Sequence, residues 1–199
     1  MREGRDGSHR PRPRKPSLAE RRAERAGIDD PAVVLEAAAR LLEARPRSEA
    51  EVRRRLTTAG YRAELVDTAV TRLAELGYLD DAEFARAWVA SRDRARPRGE
   101  HALRRELTLK GVDRATVDAA LEDRRDAAGA SPDAAPGGDD PDEAAAERLL
   151  ARRLPALLRE PDPRRRLQKA YALLARNGFA PDVCSAVARR VTGDAHPSA

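Results

Sequence analysis

Aromatic residues are scarce in this 199-residue chain. Phe, Trp and Tyr together make up 3% of the residues, so a hydrophobic core has to be built from Leu, Val and Ala. A continuous β-sheet needs more β-branched and aromatic side chains than this chain supplies. Charged residues reach 37%, which is typical of helices with solvated outer faces. The composition therefore predicts an all-α protein.

Cysteine and histidine are too few for the common metal and catalytic sites. Cys184 is the only cysteine, so neither an intramolecular disulfide nor a cysteine metal cluster can form. His101 stands alone in the sequence, and His9 and His196 lie near its two ends. There is no glycine-rich phosphate loop and no metal-ligand spacing. We therefore expect a protein that is not an enzyme and uses no cofactor or metal.

Long apolar stretches are missing as well, since no run approaches the roughly 20 residues of a membrane span. The start of the sequence lacks the apolar core of a signal peptide. We therefore expect a cytoplasmic protein without membrane contact. Lys and Arg outnumber Asp and Glu by 39 to 34, and the net charge of +5 permits a polyanionic partner without identifying it.

The most regular part of the chain runs from Ser48 to Trp88. Ser48, with Glu51 three positions later, has the form of a capping box, so a helix is predicted to begin here. Gly60 suits the left-handed position just past a helix end, where the following residue touches the residue five positions before it. This pattern of glycine, following residue and apolar partner occurs four times: Gly60, Tyr61, Leu56; Gly77, Tyr78, Leu73; Gly111, Val112, Leu107; and Gly178, Phe179, Leu174. The recurrence predicts an internal repeat.

These helix boundaries and the composition divide the chain into six segments. Three are three-helix units, and the other three are expected to lack stable structure because they are rich in charge, Pro or Gly. The predicted segments are a disordered basic N-terminal arm (1–29), repeat 1 (30–79), repeat 2 (80–128), an acidic Pro/Gly linker (129–143), a divergent repeat 3 (144–192) and a disordered tail (193–199).

Aromatic residues mark several of the predicted helix boundaries and contacts. Asp80 and Glu83 repeat the capping box and begin a helix on which Phe84 and Trp88 share one face. The two rings are predicted to pack in the core between units 1 and 2, and a platform for stacking bases is the alternative. The residues expected to have structural roles are Gly60, Tyr61, Gly77, Tyr78, Leu79, Asp80, Phe84, Trp88, Gly111, Gly178 and Phe179.

Basic residues recur on the middle helix of each unit. Three successive arginines lie about 100° apart around the first of these helices, so they spread across its exposed face. A solvated surface is one interpretation, and the recurrence favours an anion-facing stripe that meets DNA phosphates or an acidic protein face. The candidate residues are Arg53, Arg54, Arg55, Arg104, Arg105, Lys110, Arg164, Arg165 and Arg166.

Three segments resemble the RecX family, bacterial regulators of the RecA recombinase. They read RPRSEAEVRRRLTTAGY, LAELGYLDDAEFARAWVASR and RGEHALRRELTLKGVD. The pattern ELGYLDD-x-x-F-A-R-x-W, at 75–88, is the most specific part. The resemblance is close over 32–121 and looser over 144–191.

This resemblance implies tandem three-helix repeats that form an elongated, curved body. A protein of this kind binds the RecA filament on single-stranded DNA as a monomer and restrains its ATPase activity and strand exchange, in the regulation of DNA repair and recombination. It meets single-stranded DNA through the filament. The resemblance implies that the protein lodges in the groove of the filament and favours filament loss, while the residues by themselves fit both capping of filament ends and binding along their length. The resemblance does not extend to the basic arm or to the 129–143 insertion, so no contacts of these segments are inferred from it.

The alternative is an independent, non-sequence-specific nucleic-acid-binding helical protein, because three-helix units resemble helix-turn-helix modules. Residues 49–121 contain neither Asn nor Gln, which removes the side chains best suited to reading adenine. Contact with phosphates is therefore the form of nucleic-acid binding that the sequence supports.

Overall fold

The computed structural model describes residues 14, 16–129 and 140–193. Over these residues the protein consists of helices and has no strand, which confirms the all-α prediction. The helices are α1 (Leu18–Ala26), α2 (Pro31–Ala44), α3 (Glu49–Ala59), α4 (Ala63–Glu75), α5 (Asp81–Ala95), α6 (Glu100–Leu109), α7 (Arg114–Gly129), α8 (Pro141–Leu157), α9 (Pro163–Arg176) and α10 (Pro181–Thr192).

Helices α2 to α10 form three successive units of three helices, and each unit has its own core. Val52 and Val66 are completely buried in unit 1 (α2, α3 and α4), Leu103 in unit 2 (α5, α6 and α7), and Leu150 and Val187 in unit 3 (α8, α9 and α10). Each such side chain contributes about 1.5–3 kcal/mol on burial. The prediction of three tandem three-helix repeats is confirmed, and the elongated, curved shape of the body stays a prediction.

The predicted glycines stand at four helix ends and have left-handed backbone angles, with φ between 74° and 108°. The residue after each glycine donates its N–H to the carbonyl of the predicted apolar partner. These bonds run from Tyr61 to Leu56 at 3.3 Å, from Tyr78 to Leu73 at 2.9 Å, from Val112 to Leu107 at 3.2 Å and from Phe179 to Leu174 at 3.4 Å. The backbone part of the predicted repeat is confirmed.

The two predicted capping boxes are only half formed. Ser48 accepts the N–H of Glu51 at 3.2 Å, and Asp80 accepts the N–H of Glu83 at 2.9 Å. Among the hydrogen bonds of the described residues, neither glutamate returns a bond to the cap. Glu51 binds arginines instead, because its side chain is buried where three guanidinium groups converge.

The segment predicted as a disordered arm, 1–29, contains helix α1, so the prediction is wrong over Leu18–Ala26. Ser17 and Glu20 form a complete capping box at its start. Arg25 fixes the other end, because it donates to the Ala59 carbonyl at 3.2 Å and lies over the Tyr61 ring. Composition alone missed the helix, since none of its residues is buried. Residues 1–13 and 15 lie outside the described part.

The predicted acidic linker, 129–143, is shorter than expected. Helix α7 extends to Gly129, and α8 begins at Pro141, with Asp140 as its N-cap. Asp142 is buried rather than part of a surface loop, because it binds Arg124. Helix α8 also continues through Pro155. Residues 130–139, and 194–199 of the predicted tail, lie outside the described part.

Successive units are joined by the same contact. The C-terminal end of α6 meets the N-terminal end of α3 (the first joint), and the C-terminal end of α9 meets the N-terminal end of α6 (the second joint). A Cβ atom on Gly111 would overlap the Cβ of Ala50, and one on Gly178 would overlap that of Ala102. Only glycine fits here, so the residues that end the helices also permit the units to stack.

An aspartate from the following unit caps the middle helix at each joint. Asp81 accepts the N–H of Glu49 at 2.9 Å, and Asp142 accepts the N–H of Glu100 at 2.9 Å. Burial raises the pKa of both aspartates above the ordinary value, and these hydrogen bonds offset part of that rise. The joints are therefore specific polar contacts between helix ends.

Candidate functional site

Two of the predicted surface arginines form the same ion pair within their own units. Arg53 Nε lies 2.9 Å from Asp67 Oδ1 in unit 1. In unit 2, Arg104 binds Asp118, and both residues lie 51 positions after their counterparts in unit 1. Each pair links the second helix of a unit to its third. The hydrogen bond from Arg104 lowers the pKa of Asp118. The charge of these two arginines is therefore largely compensated inside the protein.

Arg54 and Arg105 occupy the next position in each unit and differ from their neighbours. Both side chains are exposed. Within the described residues, neither has a carboxylate oxygen within 4.0 Å. These two arginines keep their full charge available to an external anion.

Glu51 collects four cations at the first joint. Its Oε1 binds Arg45, Arg47 and Arg55, and its Oε2 lies 4.0 Å from Lys110 Nζ in unit 2. Burial alone would raise the pKa of Glu51, but the hydrogen bonds from the three arginines lower it to about 2. One carboxylate thus faces four positive charges.

A second carboxylate lies beside the first. Glu106 accepts the Trp88 indole N–H at 2.9 Å and pairs with Arg92 at 2.7 Å and Arg98 at 3.5 Å. Lys110 Nζ lies 4.0 Å from the centre of the Trp88 ring, and the Arg92 guanidinium carbon lies 4.2 Å from it. Burial lowers the pKa of Lys110, and the charges of Arg45 and Arg92 lower it further.

Trp88 and Phe84 are packed rather than open to stacking with bases. Their ring centres are 6.0 Å apart, and Phe84 is 7% exposed. The Trp88 ring is already occupied by two cations at cation–π distance. The structure therefore favours the predicted packing role, with Trp88 holding Lys110 and Arg92 in place.

The two carboxylates and their partners form one group, which we call the joint cluster. Six cations face two carboxylates, an excess of four positive charges. The cluster comprises Arg45, Arg47, Arg55, Arg92, Arg98, Lys110, Glu51 and Glu106. Sequence analysis found only Arg55 and Lys110 among its cations. The missed signal is an Arg-Pro-Arg motif just before the middle helix of a unit, at 45–47 before α3 and at 96–98 before α6.

The predicted arginine stripe does not continue into unit 3. When the units are aligned on their helix-end glycines, Arg104 and Arg105 of unit 2 fall at the positions of Arg53 and Arg54. The same two positions in unit 3 are occupied by non-basic residues. Unit 3 carries its basic run at the start of α9, at 164–166, where Arg165 lies 3.5 Å from the capping Asp162. The recurrence in matched positions is therefore limited to units 1 and 2.

Comparison with known proteins places this architecture in a family. The model of the first three-helix domain of RecX matches residues 35–73, and that of the second matches residues 80–121. The regulatory protein RecX of Deinococcus radiodurans is 35% identical over 188 residues, which cover 94% of this chain and 78% of that protein. The chain belongs to the RecX family. RecX of Thermobifida fusca is 36% identical over 140 residues, covering 70% of this chain and 68% of that protein.

Other RecX proteins match over a shorter part of their length. RecX of Mycobacterium sp. (strain JLS) is 43% identical over 84 residues, which is 46% of that protein. The crystal structure of RecX from Lactobacillus salivarius has the same fold, with a TM-score of 0.66 and 18% identity, over 82% of this chain and 97% of the other. A second RecX crystal structure superposes with a TM-score of 0.62.

The described residues contain no group of three or more His, Cys, Asp or Glu side chains arranged to hold a metal ion. In the same part of the chain, no helix has the length and apolar content to cross a membrane.

Proposed function

We propose that this RecX-family protein modulates the RecA recombinase, mainly as an inhibitor, by binding as a monomer to the RecA–DNA filament. In this role it restrains the ATPase activity and strand exchange of the filament and so regulates DNA repair and recombination. The observation that carries the proposal is the match to regulatory protein RecX over 94% of the chain.

The joint cluster and the two exposed arginines support a filament as the target. A nucleoprotein filament presents phosphates at regular intervals, and cations that neutralise phosphates contribute affinity by releasing counterions. The cluster offers an excess of four positive charges. Its cations are held by Glu51, Glu106 and Trp88 before binding, so fewer side chains have to be ordered when a partner docks.

The same geometry ranks the candidate residues. Arg54 and Arg105 are expected to contact the filament, because they have no internal partner among the described residues. Arg53 and Arg104 are expected to stabilise their units instead. A double variant, Arg54→Glu with Arg105→Glu, should therefore weaken inhibition about tenfold or more, since each change reverses a charge at a phosphate-facing site. Arg153→Glu with Arg159→Glu, at two exposed arginines of unit 3, serves as the control, because it changes the net charge by the same amount at other sites.

The decisive assay is ATP hydrolysis by the cognate RecA on single-stranded DNA, titrated with this protein, alongside its binding to the same DNA without RecA. Inhibition at concentrations too low to coat the bare DNA supports the recombinase as the target. Inhibition only when the DNA is already covered, or no inhibition, supports the alternative of an independent nucleic-acid-binding protein. The cation excess at the joint favours that alternative if the recombinase proves not to be the target.

A further inference from the structure

A groove of about 660 Å³ opens between units 1 and 2. Helices α2 and α4 contribute Leu42 and Leu73 to its lining, and α5 contributes Phe84. This volume lies in the range of ligand-binding clefts in proteins, which is about 300–1,000 Å³. The groove thus offers an apolar floor at a place where two units meet.

Tyr78, at the edge of this groove, is exposed without a structural reason. The equivalent residues Val112 and Phe179, which also follow a helix-end glycine, are each 4% exposed, whereas Tyr78 is 69% exposed. Leu79 takes the buried position instead, at 3%. The Tyr78 ring is thus exposed where packing was expected, while its backbone N–H makes the predicted bond to Leu73. An exposed aromatic ring beside an apolar cleft is typical of a binding hot spot.

The rim of the groove is acidic, although the chain as a whole is basic. Glu43, Asp80 and Glu83 line it with exposed side chains. In the described part of the chain, none of the three has a Lys or Arg nitrogen within 4.0 Å. Arg47 also lines the groove, but its guanidinium group is already bound to Leu41 O and Glu51. Asp80 is bound to the backbone N–H groups that it caps, so the groove combines an apolar floor with two carboxylates, Glu43 and Glu83, that have no basic partner in the described part of the chain.

We propose that this groove docks a segment of a partner protein in which an apolar side chain is flanked by Lys or Arg. The apolar side chain packs against Tyr78 and Phe84, and the flanking cations pair with Glu43 on α2 and Glu83 on α5. A ligand has to place cations on both sides of an apolar group to meet carboxylates from two helices, and a polypeptide does this readily. The groove borders the joint cluster at Arg47, but it presents carboxylates to its ligand, whereas the cluster attracts anions, so the inference does not rest on the proposed function.

Synthetic peptides test the proposal directly. The probe is a panel of labelled 12-residue peptides with central Leu or Phe flanked by Arg or Lys. In one matched panel Glu replaces the basic residues, and in another Ser replaces the apolar ones. Binding is measured by fluorescence polarisation. Emission from Trp88, the only tryptophan in the chain, gives a second readout, because it stacks on Phe84 in the groove floor.

We expect the Arg- and Lys-flanked peptides to bind and both matched panels to fail. Tyr78→Ala should weaken binding by about tenfold or more, as truncation of an interface aromatic does, and Tyr78→Phe should retain it. The double variant Glu43→Gln with Glu83→Gln should weaken binding in a salt-dependent way. Tyr171→Ala is the control, since Tyr171 is a half-exposed tyrosine outside the groove.

Three results would overturn the proposal. They are equal binding of the Glu-flanked panel, unchanged binding by Tyr78→Ala, and no binding by any panel. Self-association in sedimentation velocity that Tyr78→Ala abolishes would assign the groove to a second copy of this chain instead. Circular dichroism verifies folding of the variants, which is expected because Tyr78 is exposed and Ala retains its backbone N–H bond to Leu73.

Discussion

Replacing Glu51 by Gln tests whether the first joint depends on one buried negative charge. The Glu51 side chain is 5% exposed, and that of its partner Arg47 is 7% exposed. The substitution keeps the size of the side chain but leaves four cations facing each other without a carboxylate. Removing one partner of a buried ion pair typically costs about 3–5 kcal/mol.

The pKa of Glu51 gives an independent estimate of the same effect. It is about 2 in the folded protein and 4.5 for an ordinary glutamate. A difference of this size corresponds to about 3 kcal/mol of stability at neutral pH. Because the folded pKa is depressed, this stability is fully present above pH 4.5 and is lost as the pH falls from there towards 2. The two estimates agree, so Glu51→Gln should destabilise the protein by about 3 kcal/mol at pH 7.

Urea unfolding, followed by circular dichroism and by Trp88 fluorescence at several pH values, measures this difference. At pH 7 the free energy of unfolding should fall by about 3 kcal/mol, and in a thermal melt the midpoint should fall by about 6–12 °C. The gap between the two proteins should narrow as the pH drops below 4.5. Glu75→Gln is the control, because Glu75 is 56% exposed in its pair with Arg72 and should change stability by less than about 1 kcal/mol. Equal effects of the two substitutions, or a gap that does not depend on pH, would refute the reasoning.

Three further predictions concern the joints and the ends of the array. Gly111→Ala should destabilise the protein more than Gly77→Ala in chemical denaturation, because both glycines have positive φ but only Gly111 abuts a neighbouring helix. Arg124→Met should cost about 3–5 kcal/mol by leaving Asp142 buried without its cation, and Arg125→Met, at a side chain 52% exposed, should have little effect on the melting temperature. Arg25→Ala should cost about 1–3 kcal/mol, because it removes a charged hydrogen-bond donor and a cation–π contact. Amide exchange should show faster opening of α1 alone, since that helix buries no side chain.

The parts of the fold that sequence predicted are those fixed by local chemistry. A helix end is marked by a glycine, and the residue after that glycine is matched by an apolar residue five positions earlier. The four helix ends were therefore predictable. The three units followed from the same spacing. Helix α1 was not predicted, because its capping box, Ser17 and Glu20, lies in a stretch whose average composition suggests disorder. Its attachment through Arg25 depends on Ala59 and Tyr61, which are remote in sequence.

The candidate site was less predictable, because its contacts cross long distances in the sequence. Arginines at neighbouring positions look alike in the sequence, yet Arg53 is paired with Asp67 and Arg54 has no such partner among the described residues. The cation shell of Glu51 includes Lys110, which comes from the next unit. A glutamate three positions after a serine suggests a cap, and only the packed units show that it serves the arginines instead.

Positive charge is largely compensated within the units and is in excess at the first joint. Arg53 in unit 1 and Arg104 in unit 2 each form an ion pair with a carboxylate of their own unit, and each pair leaves little net charge. At the first joint, a single carboxylate is shared by Arg47 of unit 1 and Lys110 of unit 2. The excess positive charge there opposes the contact between the units, and the Gly111–Ala50 packing and the Asp81 cap hold the units together. An anion that bound to the cluster would lower this repulsion and, by linkage, would stabilise the placement of one unit against the other.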